Sequence, residues 1–319
     1  MEKDSYFVRV YAKNQMYTGK HIATKLWVGD YTTGDTFEKF AQKAEGIKRI
    51  GVLRADVDNL GQTFVAGFAG KYATLSRTAA LSRQLSIFFK YYIRSILKNG
   101  EYHIDGEKKL TERNATIVYS GGDDVFIVGA WNEVIELSID LQEKFKKYTQ
   151  GTLSISSGIG IYECTYPIGA IANETGEMEA ESKRMPEKDS VTFMDDGETH
   201  LINELEICDG TYRWEELYKS VLGEKYDVIQ DFLGESDERG MSFLYRMLEL
   251  IRNQKEKINF ARFVYLLSRL EPDKEGEKKE KYRKFSRKMY QWVQSEKDCR
   301  ELKTAINLYA YMHREKGAH

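Results

Sequence analysis

Tyr119-Ser120-Gly121-Gly122-Asp123-Asp124-Val125-Phe126-Ile127-Val128-Gly129 sets two glycines and two acids between apolar runs, and nothing else in the chain concentrates so much of both. Ala115–Tyr119 and Val125–Val128 read as successive strands, with Gly121-Gly122-Asp123-Asp124 as the hairpin tip between them. Glycine reaches the positive φ that such a tip needs and removes side chains where another molecule could come close to the backbone. Two adjacent carboxylates carried outward on rigid strands suit a divalent cation. For the tetrad alone, a solvated acidic turn is an equal reading.

A second acidic strand end lies upstream, in Gly51-Val52-Leu53-Arg54-Ala55-Asp56-Val57-Asp58-Asn59-Leu60-Gly61. It begins as a buried strand and ends in carboxylates. A strand that delivers Asp56 beside Asp123 and Asp124 gives the pattern of nucleotidyl-transfer enzymes, several carboxylates around one or two metal ions. Mg²⁺ is the natural choice, since it takes oxygen ligands and leaves positions open for phosphate oxygens. Asp58 is a further ligand or a brace for the turn after it, ranked below Asp56. The turn Asn59-Leu60-Gly61-Gln62 offers backbone amides to a phosphate where the next helical segment starts, although a plain turn is its commoner use.

These residues, together with Thr74-Leu75-Ser76-Arg77, resemble the palm domain shared by GGDEF-type diguanylate cyclases, class III nucleotide cyclases and the CRISPR polymerase-like proteins. They resemble most closely the C-terminal half of the large signature subunit of type III-A CRISPR effector (Csm) complexes. A diguanylate cyclase would carry Glu-Phe where Asp124-Val125 stand, which favours the CRISPR branch. The resemblance implies an α+β fold, a ferredoxin-like palm followed by an all-α helical bundle. It implies an ATP-dependent nucleotidyltransferase that makes cyclic oligoadenylate in antiviral defence when target RNA is bound. Asp123 and Asp124 would be catalytic, and Mg²⁺ or Mn²⁺ would sit on Asp56, the Val57 carbonyl, Asp123 and Asp124. Nucleotide would contact Asn59, Leu60, Gly61, Ser120, Gly121, Gly122, Lys183 and Lys188, with Lys183 matching the phosphate-contacting lysine of palm cyclases. Two solvated lysines in the run 181–188 are an equal reading of Lys183 and Lys188. The implied partners are other type III effector subunits, CRISPR RNA and target RNA, with a palm-to-palm homodimer as a second arrangement. A GTP-using diguanylate-cyclase-like enzyme and a catalytically silent scaffold are the rival readings.

At 319 residues the chain exceeds a usual single domain. Its 41% hydrophobic and 31% charged residues describe a core-forming protein, and a formal charge of -2 gives no general attraction to nucleic acid or membrane. Cys164, Cys208 and Cys299 form no CxxC pair, so neither a disulfide framework nor a zinc site is indicated, and free thiols suggest the cytoplasm. No apolar run has membrane-spanning length, and Met1-Glu2-Lys3-Asp4 opens no signal peptide. None of the five histidines is followed by aspartate, so the family's His-Asp nuclease is not carried over, nor are its first palm and zinc region.

Three parts are expected: a lead-in over 1–46, the palm over 47–199 and a helical domain over 200–319. The lead-in has strand signals at Tyr6–Tyr11 and Lys25–Tyr31 and a helix over 36–46. In the palm, a helix over 75–97 carries Leu81, Leu85, Phe89, Ile93 and Ile96. A second helix is capped by Asn132 and carries Val134, Leu137, Leu141, Phe145 and Tyr148. Leu153, Ile155, Ile159 and Ile161 alternate as a strand, residues 168–184 are helical, and Ser190–Met194 is the last strand. The order strand, helix, hairpin, helix, strand is that of a βαββαβ palm. Further on, Phe243, Met247, Leu250, Ile251, Phe260, Val264 and Leu267 recur at helical spacing. The stretch 273–292 interleaves Lys and Arg with aromatics, which fits either an RNA or subunit contact or a solvated amphipathic helix.

Overall fold

The computed structural model describes residues 9–19, 21–68, 70–106, 109–234, 238–252 and 257–314. The lead-in forms two short parallel strands, β1 (Tyr11–Lys13) and β2 (Thr24–Leu26), and then helix α1 (Phe37–Lys43), whose first turn is capped by Thr36. Residues 6–8 of the first expected strand lie outside the described residues. Between β2 and α1 the chain runs along one edge of the palm, where the Ile117 N–H donates to the Tyr31 carbonyl at 2.9 Å.

The palm sheet is built on β3 (Ile50–Val57), whose Ile50, Val52, Leu53 and Ala55 are wholly buried. Around it come β4 (Ala115–Ser120), β5 (Asp124–Ala130), β6 (Ile155–Tyr162), β7 (Ser190–Phe193) and, after the outlying antiparallel hairpin β8 (Thr199–Ile202) and β9 (Leu205–Cys208), β10 (Thr211–Arg213). The order is β10-β7-β6-β3-β5-β4. Its inner four strands, β6-β3-β5-β4, are all antiparallel and have the ferredoxin-like arrangement. β7 adds parallel to β6, and β10 adds antiparallel to β7. The chain between Thr199 and Arg213, read from sequence with the helical part, is therefore three short strands. Strands of three or four residues carry too little alternation to be heard against their polar surroundings.

Alternation divides β3 between two helical layers. Leu53, Ala55 and Val57 join the main core with the long helix that follows α2 (Leu60–Ala66) and with α5 (Trp131–Tyr148), while Ile50 and Val52 pack with Phe40, Val128, Tyr162 and Ile171. The long helix is one rod in three parts, α3 (Leu75–Ile87), a π-helical turn Phe88–Tyr92 and α4 (Ile93–Lys98). Phe88 and Phe89 are buried and serve packing, whereas Tyr91 and Tyr92 of the same turn are exposed. Asn132 lies inside α5 rather than capping it: its Oδ1 accepts the Glu45 N–H at 3.1 Å and ties the lead-in to the helix. On the other face, α6 (Ile168–Ser182) sits close against β6. A Cβ on Gly158 would lie 2.5 Å from the Thr175 carbonyl oxygen and 2.6 Å from the Glu179 nitrogen, so glycine there sets the helix-to-sheet distance.

The C-terminal part runs from α7 (Trp214–Glu216) through a π-helical Leu217–Tyr226 to α8 (Asp227–Leu233), α9 (Glu238–Arg252), α10 (Lys257–Ser268), α11 (Glu277–Trp292) and α12 (Glu296–His313). Phe243, Met247, Ile251 and Leu267 are buried in it as their spacing predicts, whereas Phe260 is exposed. In α11 the aromatics Tyr282, Phe285 and Trp292 turn into the core, and Lys284 and Lys288 pair with Asp231 and Glu224 at 3.0 and 2.6 Å. The helix is amphipathic, as both readings of this stretch require. All three cysteines are free, and among the described residues no helix is long and apolar enough to cross a membrane.

Candidate active site

The hairpin turns through Gly121-Gly122-Asp123, closed by the Gly121 N–H donating to the Asp124 carbonyl at 2.9 Å, so Asp124 is the first residue of β5 and not part of the tip. A side chain at Gly121 would overlap the Tyr119 hydroxyl and stand 2.6 Å from Asp124 Oδ1, whereas a Cβ at Gly122 meets nothing nearer than 4.0 Å. In the β3–β5 ladder Asp124 is directly opposite Asp56, and on the other side Asp56 faces Ser156 of β6. Opposed residues of antiparallel strands share a face, so Asp56 and Asp124 project together on the α6 side, with Asp123 next to them.

The crowding of charge bears on Asp123 and on the neighbouring Tyr119. Burial, then the charges of Asp56 and Asp124, hold the Asp123 carboxyl above its ordinary value, against the pull of the Lys183 ammonium. The Tyr119 phenol is pushed up chiefly by Asp124.

Lys183 ends α6 and places its Nζ on Asp56 Oδ2 and, at 2.7 Å, on Glu179 Oε1. Burial disfavours its charge, but the hydrogen bonds to Asp56 and Glu179 outweigh that and hold its pKa above the ordinary value. Glu179 in turn accepts from Arg54 Nε at 2.8 Å. Neither Arg54 nor Glu179 stood out in the sequence, yet both carry a signal: Arg54 is two residues from Asp56 on one strand face, and Glu179 is one helical turn before Lys183. Lys188 lies elsewhere, its Nζ 2.6 Å from Asn59 Oδ1, where Asn59 adopts a left-handed φ of 53° ahead of Leu60 and Gly61 in the first turn of α2. Ser120 is turned away from the carboxylates. It is buried, and its hydroxyl donates to the Phe89 carbonyl in the π-helical turn, which anchors the hairpin to the rod. Asp58, only 3% exposed, accepts from the Ser154 hydroxyl at 2.7 Å and the Asp189 N–H at 3.1 Å, which ties the end of β3 to the chain before β6 and β7 rather than to the turn that follows it.

Three carboxylates at a sheet end, under-compensated by one shared ammonium, have the donor chemistry of a hard divalent cation: oxygen only, anionic and reachable from solvent. Val57, at the end of β3, would add only its carbonyl. Among the described residues, the three acids whose ligand atoms crowd within 4.8 Å of one another are Asp196, Glu198 and Asp209 instead, and there Lys303 already sits in the middle.

Comparison with known proteins shows the family and its domains. Residues 49–192 match the family model "Cas10/Cmr2, second palm domain", and residues 230–315 match "CRISPR RNA silencing complex Cmr2 subunit, second helical domain". The single-strand-specific deoxyribonuclease Cas10/Csm1 (subtype III-A) of Mycobacterium tuberculosis is 42% identical over 97% of this chain, and that of Streptococcus thermophilus is 37% identical over 96%. The chain belongs to the Cas10/Csm1 family of type III-A CRISPR systems. It spans 37% and 38% of the length of those two relatives. Two solved structures at 26% identity superpose on 93% of this chain and cover 42% of the other chain: the Csm1-Csm4 subcomplex of the type III-A interference complex, TM-score 0.67, and the Csm1-Csm4 cassette with one ATP, TM-score 0.66. The same cassette has been solved with cA3, at 25% identity and TM-score 0.66.

Proposed function

We propose that this part of a Cas10/Csm1 protein is the palm that condenses ATP into cyclic oligoadenylate, acting with other type III effector subunits, CRISPR RNA and target RNA. The observation that carries the reading is the register pairing of Asp56 with Asp124 beside Asp123, with Lys183 in the same cluster. Relatives solved with ATP and with cA3 support the choice of nucleotide. The chemistry a Mg²⁺ or Mn²⁺ ion supplies when bound to Asp56, Asp123 and Asp124 is Lewis acidity toward a ribose hydroxyl and the α-phosphate it attacks.

The chain's own residues do the rest. The β3–β5 ladder holds the carboxylates rigid, so no reorganisation is needed as charge develops. Gly121 and Gly122 leave the hairpin backbone open to a nucleotide. Lys183 offers an ammonium to the triphosphate, and Asn59, Leu60, Gly61 and Lys188 form the next polar surface around the end of β3. We assign Ser120 to holding the hairpin rather than to nucleotide contact.

Titration of the 319-residue chain with ATP, GTP and Mn²⁺ tests the proposal, with metal-dependent preference for ATP as the expected result. Preference for GTP would favour a diguanylate-cyclase-like enzyme, and no metal-dependent binding would favour a scaffold. One palm positions one nucleotide, and holding the acceptor hydroxyl in line supplies several kcal/mol, on the order of a thousandfold in rate or more. The monomer should therefore bind ATP and make little product, and product should rise faster than linearly with protein concentration if two copies can pair. Efficient synthesis by a demonstrably monomeric fraction would remove the two-palm requirement.

A further inference from the structure

Arg54, Glu179, Lys183 and Asp56 form a row of alternating charge that starts and ends on β3. Arg54 and Asp56 lie on the same face of that strand, and the two middle members lie one turn apart at the end of α6. Glu179 is almost wholly buried and uses both oxygens, Oε2 to Arg54 at 2.8 Å and Oε1 to Lys183 at 2.7 Å. Asp56 has one cation on Oδ2, that same Lys183. The ammonium is thus shared between a carboxylate already neutralised by Arg54 and one that is not, and Coulomb attraction draws it toward the second.

We propose that Lys183 is a built-in counter-ion that competes with the divalent cation for Asp56, and that Glu179, fixed by Arg54, is the positioning residue that receives the ammonium when it leaves. This rests on the reading of the site as a metal-dependent nucleotide centre. A doubly charged ion and an ammonium on one carboxylate repel, so ion binding displaces Lys183 from Asp56 but not from Glu179. The N–H groups released are those available to a phosphate oxygen. Cation and triphosphate therefore favour the same position of Lys183, and each raises the affinity of the other. With the ammonium on Asp56, one of the three carboxylate charges is offset and the other two are left to the cation.

Mn²⁺ binding to the full 319-residue chain, read by the loss of the free-ion electron paramagnetic resonance signal, tests this directly. Without nucleotide, Lys183→Met should bind Mn²⁺ roughly fivefold more tightly than the parent, the size of one partly exposed ion pair, and ATP should no longer enhance binding. Glu179→Gln should shift the other way, roughly threefold weaker, because Lys183 is then left with Asp56 as its anionic partner. Unchanged or weaker Mn²⁺ binding by Lys183→Met, or a shift of both variants in one direction, overturns the proposal. If Lys183→Met folds poorly by its melting curve, the sign of the Glu179→Gln shift decides alone. Failure of the parent itself to bind Mn²⁺ through Asp123 and Asp124, seen as no difference from the Asp123→Ala, Asp124→Ala double variant, overturns the functional reading along with it.

Discussion

Two clusters in this molecule each combine three acids with a lysine, and they behave in opposite ways. Asp196, Glu198 and Asp209 surround Lys303, which is 7% exposed and touches all three at 3.3, 2.6 and 2.8 Å. Although burial works against ionisation, hydrogen bonds from His200 and Lys303 hold the Asp209 carboxyl down at about 2. Asp56, Asp123 and Asp124 share Lys183, which is 25% exposed and touches Asp56 alone of the three, and the Asp123 carboxyl is raised. In the first cluster every acid has the lysine as a direct partner. It ties α12 to the chain around β8 and β9, alongside the 2.6 Å hydrogen bond of Tyr212 to Thr304 and the 2.9 Å pair of Arg300 with Glu216. Crowded acids therefore do not mark a cation site by themselves. The mark is negative charge left uncompensated at an open edge, which a structural cluster cannot tolerate and a binding site requires.

The contrast breaks most visibly at the hairpin. Asp123→Ala with Asp124→Ala should lower product formation from ATP at least about a hundredfold in a reconstituted effector, with urea unfolding unchanged within about 1 kcal/mol. Mass spectrometry of the products together with a denaturation curve checks both halves, and undiminished product would end the palm mechanism. Lys303→Met should do the reverse. Three carboxylates lose their buried counter-charge, so the chain should lose about 3 kcal/mol of stability while Mn²⁺-dependent ATP binding by the folded fraction stays as in the parent.

Acid sharpens the same difference. Against the effect of burial, the hydrogen bonds from His200 and Lys303 hold the Asp209 carboxyl down at about 2, below the ordinary aspartate range, so its contribution is complete above the unfolded value and disappears as pH falls from about 4 to 2. Its loss is worth about 2 kcal/mol. Asp209→Asn should flatten that part of the stability curve, and an unaltered slope would show that the cluster is not the acid-labile joint. The smallest effect belongs to Lys183→Ala, which should weaken ATP about tenfold and leave adenosine unchanged, since only the triphosphate presents charge to the ammonium. Equal loss for both ligands, or none, would return Lys183 to a purely structural part.

What could be read from the chain follows the range of the forces involved. The strand from Ile50 to Val57 and the two arms of the hairpin are local patterns of apolar residues interrupted by glycine and acid, and they stand where those patterns put them. The helical periodicity around Phe243 and Met247 is equally local, and both are buried. Asn132 fits a capping position in sequence, but the competing partner that claims its side chain, the backbone of Glu45, is 87 residues away. Ser120 belongs by its neighbours to a nucleotide-binding motif, yet its hydroxyl meets a carbonyl presented by the π-helical turn, a distortion no local rule places.

By itself, then, the order of residues determined that an acidic strand and an acidic hairpin exist within a βαββαβ palm followed by helices, because strand, turn and helix preferences act over a few residues. The tertiary structure alone decided that Asp124 stands opposite Asp56, that Lys183 and not Lys188 reaches Asp56 across 127 residues of chain, and that Asp196, Glu198 and Asp209 are closed by a lysine from the last helix. Ladder register and long-range ion pairing depend on which surfaces the packed core brings together, and a one-residue slip in β3 would have sent Asp56 to the opposite face.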